Sequence, residues 1–238
     1  MQSNIDIPAV GPWQYATIID IVRENDRVKT FSLELSRPTE HLAGQHFVVR
    51  LTALDGYRAQ RSYSVATPPD NAQHVDVTIE RLAGGEVSTF LHDEAAIGDT
   101  IEVRGPIGGW FVWDGTTRAL LLAGGSGIVP LMAMLRLARR APVNRVAHLI
   151  VSVRSPRDLI YAQEMRGEDV TVIYTREAPS ITARPTGRIN LCDITRVAHH
   201  DTTVFICGST PFTEAASAVI IDAGIDATQV RIERFGPT

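Results

Sequence analysis

Two short motifs in the first half of the chain carry residues that suit an anionic ligand. In RSYS, residues 61–64, alternation along a strand places Arg61 and Tyr63 on one face and Ser62 and Ser64 on the other. In GGEVS, residues 84–88, a pair of glycines precedes a helix whose first turn contains Ser88. Helix N-termini attract anions through their free N–H groups, although a serine there also serves as a helix cap. Together the two motifs predict an anion-binding site.

A third motif, LLLAGGSGIVP at residues 120–130, is an apolar strand that runs into a glycine-rich turn and then a helix. Gly124, Gly125 and Gly127 allow the backbone to approach a phosphate closely, and Pro130 suits the first helical turn. The motif is not GxGxxG, the usual dinucleotide fingerprint. A plain strand-to-helix turn often needs a single glycine, so this spacing favours a phosphate site.

Cys207 is a further candidate for chemistry. It ends an apolar strand, TVFIC, at the carboxyl edge where open α/β sheets bind ligands. The alternative is that Cys207 is a small core residue. Cys192 has no comparable context and is expected to be structural.

The elements that position these motifs fall into two domains, residues 1–114 and 115–238. The first domain reads as short strands with one helix, EVSTFLHDE; the strands are ATIIDIV, VKTFSLEL, HFVVRL, RSYSVA, HVDVTIERL and TIEVRGP. This pattern predicts an antiparallel β-barrel. The second domain alternates apolar strands with helices, LIYAQEM among the helices, and predicts a parallel sheet covered by helices on both faces.

Composition narrows the class of protein. The chain has 238 residues, 44% hydrophobic and 21% charged, without a long apolar run or a signal-peptide pattern, so we expect no membrane association. A net charge of −4 argues against nucleic acid binding, and the histidines do not form a metal-ligand set, so no metal is expected. The 2 cysteines are too few for an all-thiolate iron–sulfur cluster, and we expect reduced thiols in a cytoplasmic monomer.

Taken in order, the motifs resemble the ferredoxin–NADP reductase family from about Tyr15 to Phe235. They are RSYS at 61–64, GEVS at 85–88, GPIGGWF at 105–111, GGSGIVP at 124–130, CGSTPF at 207–212 and ERF at 233–235. The resemblance implies an FAD-binding β-barrel followed by a nicotinamide-dinucleotide α/β domain. It also implies a stand-alone reductase without a fused iron–sulfur domain.

The resemblance assigns the first-half motifs to FAD. It implies that Arg61 pairs with the flavin pyrophosphate, that Tyr63 packs against the isoalloxazine ring, and that Ser64 lies within hydrogen-bond reach of flavin N5. The remaining residues expected around FAD are Ser62, Gly85, Glu86, Val87 and Ser88. FAD is implied rather than FMN, because FMN has no second phosphate to hold.

The second-half motifs are assigned to the nicotinamide coenzyme. The resemblance implies that Gly124, Gly125 and Gly127 hold its pyrophosphate and that Cys207 helps to position the nicotinamide ring. Further contacts are expected from Pro130, Ser152, Gly208 and Phe212. Arginines near strand ends, Arg154, Arg176 and Arg188, favour NADPH over NADH, because a 2′-phosphate needs cations whereas an NADH site more often carries an acidic residue.

The resemblance implies roles at the C-terminus as well. Phe235 is expected to cover one face of the flavin, and Glu233 to act as a proton or hydrogen-bond partner; either residue could instead contribute ordinary packing. We therefore expect hydride transfer from NADPH to FAD, with Tyr63, Ser64, Cys207, Glu233 and Phe235 as the catalytic residues.

Reduced FAD is expected to pass electrons to an iron–sulfur protein such as ferredoxin, or to an oxygenase component. One alternative is an NADPH:flavin or quinone reductase with a small diffusible acceptor. The other is a redox-sensing flavoprotein without significant turnover, which the intact hydride-transfer motifs disfavour.

Overall fold

The computed structural model describes residues 5–70, 73–141 and 147–235. The chain divides into two compact units, Met1–Asp114 and Gly115–Thr238. The first unit contains a six-stranded antiparallel sheet, and the second contains a five-stranded parallel sheet with helices. The predicted fold class is therefore confirmed. No helix in the described part of the chain combines the length and apolar character that crossing a bilayer requires.

The first unit is a barrel. Its strands are β1 (Gln14–Arg23), β2 (Val28–Leu35), β3 (His46–Thr52), β4 (Arg58–Ser64), β5 (His74–Glu80) and β6 (Thr100–Ile107), in the spatial order β4-β3-β6-β1-β2-β5. The outermost strands β4 and β5 meet through an antiparallel bridge between Val65 and Val77. The Ala66 N–H also donates to the Asp76 carbonyl at 2.8 Å, which closes the sheet on itself.

Side chains that alternate along the strands fill the barrel. Phe31, Leu33 and Leu35 of β2 are all buried, as a period of two predicts for a strand with one face on a core. One helix, α1 (Glu86–Asp93), adds Val87 and Leu91 to the same cluster. This packing fixes the position of the α1 N-terminus relative to the barrel.

The second unit is built around parallel strands. Its elements are β7 (Ala119–Gly124), α2 (Ile128–Arg140), β8 (Ala147–Val153), β9 (Val170–Tyr174), α3 (Leu191–Thr195), β10 (Thr203–Gly208), α4 (Thr210–Asp222) and β11 (Val230–Arg234). The strand order is β11-β10-β7-β8-β9. Leu120 and Leu122 pack in a cluster with residues of α3 and α4, and alternation turns Leu121 to the other face. Because all the strands are parallel, their carboxyl ends lie along one edge.

The predicted helix over LIYAQEM is wrong. The chain instead forms two single 3₁₀ turns here, Pro156–Asp158 just before this segment and Ala162–Glu164 within it. The first turn is closed by a capping box between Ser155 and Asp158, and Tyr161 adopts a left-handed conformation with φ of 56° that ends any helical path. Helix α2 contacts the second turn: the Arg136 guanidinium lies 4.8 Å from the Tyr161 ring centre and pairs with Glu164.

Candidate functional site

Ser64, the last residue of β4, has a buried hydroxyl. Its Oγ and Glu233 Oε2 are the buried side-chain polar atoms that have no hydrogen-bond partner among the described residues. A buried polar group left unpaired costs about 1–3 kcal/mol. The hydroxyl therefore fits a ligand that completes a hydrogen bond at this point, as the predicted flavin would.

Tyr63, next to Ser64, faces the barrel core. It lies opposite Phe47 on β3 and packs against the core cluster. Burial raises the pKa of Tyr63 to about 12, and the nearby Arg61 guanidinium opposes that shift only in part. The phenol is therefore neutral at physiological pH and offers a largely apolar surface.

Arg61 is exposed and available to an anion. Its Nη1 donates to the adjacent Gln60 carbonyl at 2.7 Å, and the guanidinium forms no ion pair with any residue that the structure describes. Ser62 follows on the opposite side of the strand, facing Val48 across the β3–β4 pair. A planar cation with unpaired donors suits a phosphate group.

The side chains of the GEVS segment serve the protein itself. Gly85 is the N-cap of α1, without a side-chain cap, and both Glu86 carboxylate oxygens accept from the Tyr57 hydroxyl at 3.1 and 3.2 Å. The Ser88 hydroxyl donates to the Gly85 carbonyl and accepts from the Leu82 N–H, each at 3.2 Å. Backbone N–H groups are thus the donors that this helix N-terminus offers a phosphate. A contact from Ser88 to FAD stays a prediction.

The glycine-rich turn after β7 presses against the end of β10. A Cβ atom on Gly127 would lie 2.2 Å from the Cys207 carbonyl oxygen, so only glycine fits there. Gly125 adopts φ of +56°, a conformation that favours glycine. The turn leads directly into α2, where Pro130 is buried in the first turn. This is the geometry that brings a helix N-terminus to a phosphate.

Phe212 of α4 supports this turn from the other side. A Cβ on Gly124 would lie 2.5 Å from the Phe212 ring, and one on Gly208 would lie 2.7 Å from it. The ring is also partly buried against the hydrophobic cluster of the second unit. Phe212 therefore holds the ends of β7 and β10 in place, and a direct contact with the coenzyme stays a prediction.

Cys207 and Glu233 are neighbours across the parallel pair of β10 and β11. Burial raises the pKa of the Cys207 thiol well above its usual value, and the Glu233 carboxylate raises it further. Burial also raises the pKa of Glu233 to about 7. Phe235 follows at the end of β11, and its N–H donates to the Gly208 carbonyl at 2.9 Å. These residues thus form one cluster in the second unit.

The predicted coenzyme arginines lie along the carboxyl edge of the parallel sheet. The Arg154 carbonyl accepts the N–H groups of Arg176 and Glu177, both at 3.0 Å, so the ends of β8 and β9 are joined. The Gly187 N–H donates to the Tyr174 carbonyl at 2.9 Å, which brings the loop bearing Arg188 to the end of β9.

The side chains of Arg154, Arg176 and Arg188 form no ion pair with the described residues. Ser152, opposite Gly124 on β8, lies beside the glycine-rich turn. The structure thus places these four predicted contacts near one edge of the second unit.

Sequence reasoning missed the ion pair that holds this loop. Arg184 binds the Asp193 carboxylate through two hydrogen bonds of 2.7 and 2.8 Å and donates to the Arg188 carbonyl at 2.8 Å. Burial opposes ionisation of Asp193, but the Arg184 guanidinium and the Asn190 backbone hold its pKa below the usual value. The spacing of Asn190 and Asp193, which form a capping box at the start of α3, was the available signal.

Known protein families match both units of the fold. Residues 16–112 match the oxidoreductase FAD-binding domain, and residues 121–218 match the oxidoreductase NAD-binding domain. A nitric oxide dioxygenase FAD/NAD-binding domain from Vibrio cholerae has a similar fold, with a TM-score of 0.81 at 20% identity over 94% of this chain and 99% of that one.

Two curated relatives are similar in sequence. The glycine betaine monooxygenase reductase subunit of Pseudomonas aeruginosa is 30% identical over 92% of this chain and 63% of its own length. The phenol 2-monooxygenase reductase component of Pseudomonas sp. strain CF600 is 27% identical over 87% of this chain and 61% of its own length. The chain thus spans less than two thirds of the length of these relatives.

The fold and the matched domains define a two-domain flavin- and pyridine-nucleotide-binding oxidoreductase. The chain belongs to the ferredoxin–NADP reductase-like flavoprotein family. Its residues fit both cofactors: the exposed Arg61 and the Ser64 hydroxyl, which has no partner among the described residues, suit FAD, and the close approach of Gly127 to the Cys207 backbone suits a dinucleotide pyrophosphate.

Proposed function

We propose that this protein oxidises NADPH through FAD and passes the electrons to a separate iron–sulfur protein or oxygenase component. The observation that carries the proposal is the contact between the glycine-rich turn and the end of β10. A Cβ on Gly127 would lie 2.2 Å from the Cys207 carbonyl oxygen, and this close approach supports one site for the predicted phosphate cradle and the predicted nicotinamide-positioning cysteine.

On the flavin side, residues of β4 bind FAD and orient its ring. FAD supplies the redox chemistry when it is bound, since it accepts a hydride and releases electrons singly or in pairs. Arg61 offers a cation to the pyrophosphate, and Tyr63 offers a neutral aromatic surface. The Ser64 hydroxyl would gain from the flavin the hydrogen-bond partner that it lacks among the described residues.

On the nicotinamide side, Cys207 positions the coenzyme and Glu233 holds a proton. Cys207 is protonated at neutral pH because burial and Glu233 raise its pKa, so it acts by packing rather than as a nucleophile. Glu233 has a pKa of about 7 and can hold or release a proton near neutrality. The buried thiol and the enclosed Oε2 atom of Glu233 would help to keep water from the reacting ring, which favours hydride transfer over side reactions.

NADPH is proposed over NADH because of the cations at the carboxyl edge of the parallel sheet. Arg154 and Arg176 are joined through their backbones, and their guanidinium groups form no ion pair with the described residues. Such groups can bind a 2′-phosphate, whereas NADH sites more often use an acidic residue for the ribose hydroxyls.

The proposed electron acceptor rests on the curated relatives. The relatives described above are named as reductase subunits or components of monooxygenases, so a protein acceptor is favoured over free flavin or quinone. A panel assay tests this proposal: NADPH oxidation by the FAD-loaded protein is measured with ferredoxins, cytochrome, free flavin, quinone and ferric chelates. We expect strong preference for one iron–sulfur protein. Comparable rates with the small acceptors would refute it, and absence of turnover with every acceptor would favour the redox-sensing alternative.

The coenzyme assignment has its own test. Values of kcat/KM should favour NADPH over NADH, and Arg154→Ala or Arg176→Ala should reduce that preference about ten- to a hundred-fold, because a hydrogen bond to a charged group is worth about 1.5–3 kcal/mol. Arg118→Ala is the matched control, since Arg118 precedes β7 at the amino end of the sheet and pairs there with Asp201. Equal use of both coenzymes by the wild type would overturn the assignment.

A further inference from the structure

His46 lies directly opposite Ser64. The antiparallel pairing of β3 and β4 matches His46 with Ser64 and Val48 with Ser62, whereas Phe47 is matched with Tyr63. Residues directly opposite each other share one face of a sheet, with Cβ atoms about 4.5–5.5 Å apart. An imidazole therefore stands on the same face as the hydroxyl that is buried without a partner among the described residues.

The backbone around His46 is held rigidly. Gln45, which is fully buried, accepts the Leu42 N–H at 2.7 Å and donates to the Gly108 carbonyl at 2.8 Å. The Gln45 carbonyl also accepts the Val65 N–H at 3.0 Å, and His46 pairs with Ile107 on its other side. The position of the imidazole relative to Ser64 is thus set by two strands and a buried amide.

Burial, rather than a neighbouring charge, sets the protonation state of the His46 imidazole. It lowers the pKa of His46, which leaves the ring neutral at pH 7. On the same sheet face, Arg104 lies opposite Val48, Arg58 lies opposite Thr52, and Arg50 is paired with Glu102 at 2.6 Å. Arg61 and Tyr63 belong to the other face of β4. Protonation of His46 would therefore add a new positive charge beside Ser64.

We propose that His46 is a further residue of the flavin-ring site and that it takes up a proton when the flavin is reduced. This inference rests on the proposed binding of FAD next to Ser64. A hydride carries two electrons and one proton, so its transfer adds one negative charge to the flavin. That charge favours the imidazolium form of a neighbouring histidine. The proton on His46 comes from solvent, and His46 forms no bond to the flavin.

The test follows the imidazole itself. The His46 ring is titrated by NMR in the FAD-loaded protein, oxidised and then chemically reduced under anaerobic conditions, with the resonance assigned by its loss in His46→Gln. The expected result is a rise of at least one pKa unit on reduction, a tenfold change in the protonation equilibrium. The same His46 pKa in both redox states would overturn the proposal.

The reduction potential gives a second readout. A tenfold change in the equilibrium corresponds to about 30 mV for a two-electron couple. The dependence of the midpoint potential on pH should therefore bend between the two His46 pKa values in the wild type, with a displacement of about 30 mV or more, and this bend should be absent in His46→Gln. His148→Gln should keep it, since His148 lies in the second unit and contacts Thr171.

The outcomes separate the two proposals. Failure of the wild-type protein to bind FAD would overturn the proposed function and this inference together. If the protein binds FAD tightly but the pKa of His46 is the same in the oxidised and reduced states, only the inference about His46 would be overturned. The His46 resonance can also be assigned through backbone correlations in the isotopically labelled wild-type protein, so poor folding of His46→Gln would not remove the titration.

Discussion

Cys207 and Glu233 are paired across β10 and β11, and the pKa of each side chain is raised; the thiol is buried, whereas Glu233 is half-buried with one enclosed carboxylate oxygen. The thiol and the carboxyl group belong to adjacent strands at the carboxyl edge of the sheet, beside the glycine-rich turn. Such an arrangement keeps the Cys207 thiol protonated at physiological pH, whereas Glu233, with a pKa of about 7, changes its protonation near neutrality. Their protonation can be tested separately through thiol reactivity and through the pH dependence of stability.

Thiol alkylation should distinguish the two cysteines. Because the thiolate is the reactive form, Cys207, buried and protonated, should resist iodoacetamide in the native protein, whereas the exposed Cys192 should react. Mass spectrometry of native and denatured samples should show one and two adducts respectively, and native Cys192→Ser should show none. Rapid native labelling of Cys207 would contradict the described burial.

Cys207 should also influence the rate of flavin reduction. Cys207→Ala should slow reduction by NADPH up to about a hundred-fold, because small misplacements in a hydride-transfer geometry are costly. Cys192→Ala should leave the rate unchanged. Stopped-flow measurements on the two FAD-loaded variants make the comparison, and an unchanged rate for Cys207→Ala would reduce that residue to a packing role.

Glu233 should make the protein less stable as pH rises from about 4.5 to about 7. The folded protein keeps the Glu233 proton up to about pH 7, whereas an unfolded glutamate loses it near 4.5. Between these values the unfolded state binds fewer protons, so the free energy of unfolding falls by about 1.4 kcal/mol per pH unit, at most about 3 kcal/mol in total.

Urea denaturation of wild type and Glu233→Gln checks this. The stability of the variant relative to wild type should increase across that window and then level off above pH 7. At pH 4 the wild-type carboxyl group is protonated in both states, so measurements there provide the reference difference. A difference that does not vary with pH would show that Glu233 ionises normally in the folded protein.

Gly127→Ala should weaken both the fold and coenzyme binding. The added Cβ would lie 2.2 Å from a backbone oxygen, so the turn or the end of β10 must move; overpacking of this kind costs about 1–3 kcal/mol. The coenzyme KM should rise, because the same movement displaces the α2 N-terminus. Gly187→Ala is the matched control, since a Cβ at that position would meet none of the described residues within 4 Å. Equal effects of the two substitutions would refute the close-approach argument.

Much of the fold follows from local patterns in the sequence. VKTFSLEL predicts a strand over residues 28–35, and the structure has β2 at Val28–Leu35. The alternation of Phe31, Leu33 and Leu35 with polar residues is typical of a strand with one face on a core. LIYAQEM is the exception, because its apolar spacing suits a helix, whereas the left-handed conformation of Tyr161 leaves room only for the short turn Ala162–Glu164, which Arg136 contacts from α2.

The candidate site is only partly predictable for the same reason. The motif RSYS marks Ser64, but local sequence does not reveal that its hydroxyl has no hydrogen-bond partner in the part of the chain that the structure describes, since that depends on its neighbours in the fold. The motif GEVS suggests a phosphate contact from Ser88, whereas the hydroxyl bridges Gly85 and Leu82. Sequence alone assigns His46 no role beyond its not belonging to a metal-ligand set, because its place opposite Ser64 depends on the register between two strands.

The C-terminal segment should control access of the nicotinamide ring. The backbone of Phe235 is tied to Gly208, next to Cys207, by a hydrogen bond of 2.9 Å. The resemblance implies that an aromatic ring here must move aside before the nicotinamide can reach the flavin. Phe235→Ser keeps the backbone hydrogen bond and removes only the ring, so it should strengthen NADP⁺ binding and give a more visible charge-transfer band.

Titration of NADP⁺ into wild type and Phe235→Ser, with flavin absorbance as the readout, measures that effect. The preference for NADPH over NADH should also relax, because binding would depend less on the 2′-phosphate. Residues 236–238 lie outside the described part of the chain. Deleting them together with Phe235 should have the same effect on NADP⁺ binding if the ring is the obstacle. If Phe235 only packs, both changes should lower stability and FAD retention without tightening NADP⁺. Unchanged or weaker NADP⁺ binding in a variant that retains FAD would therefore exclude a gating role for the ring.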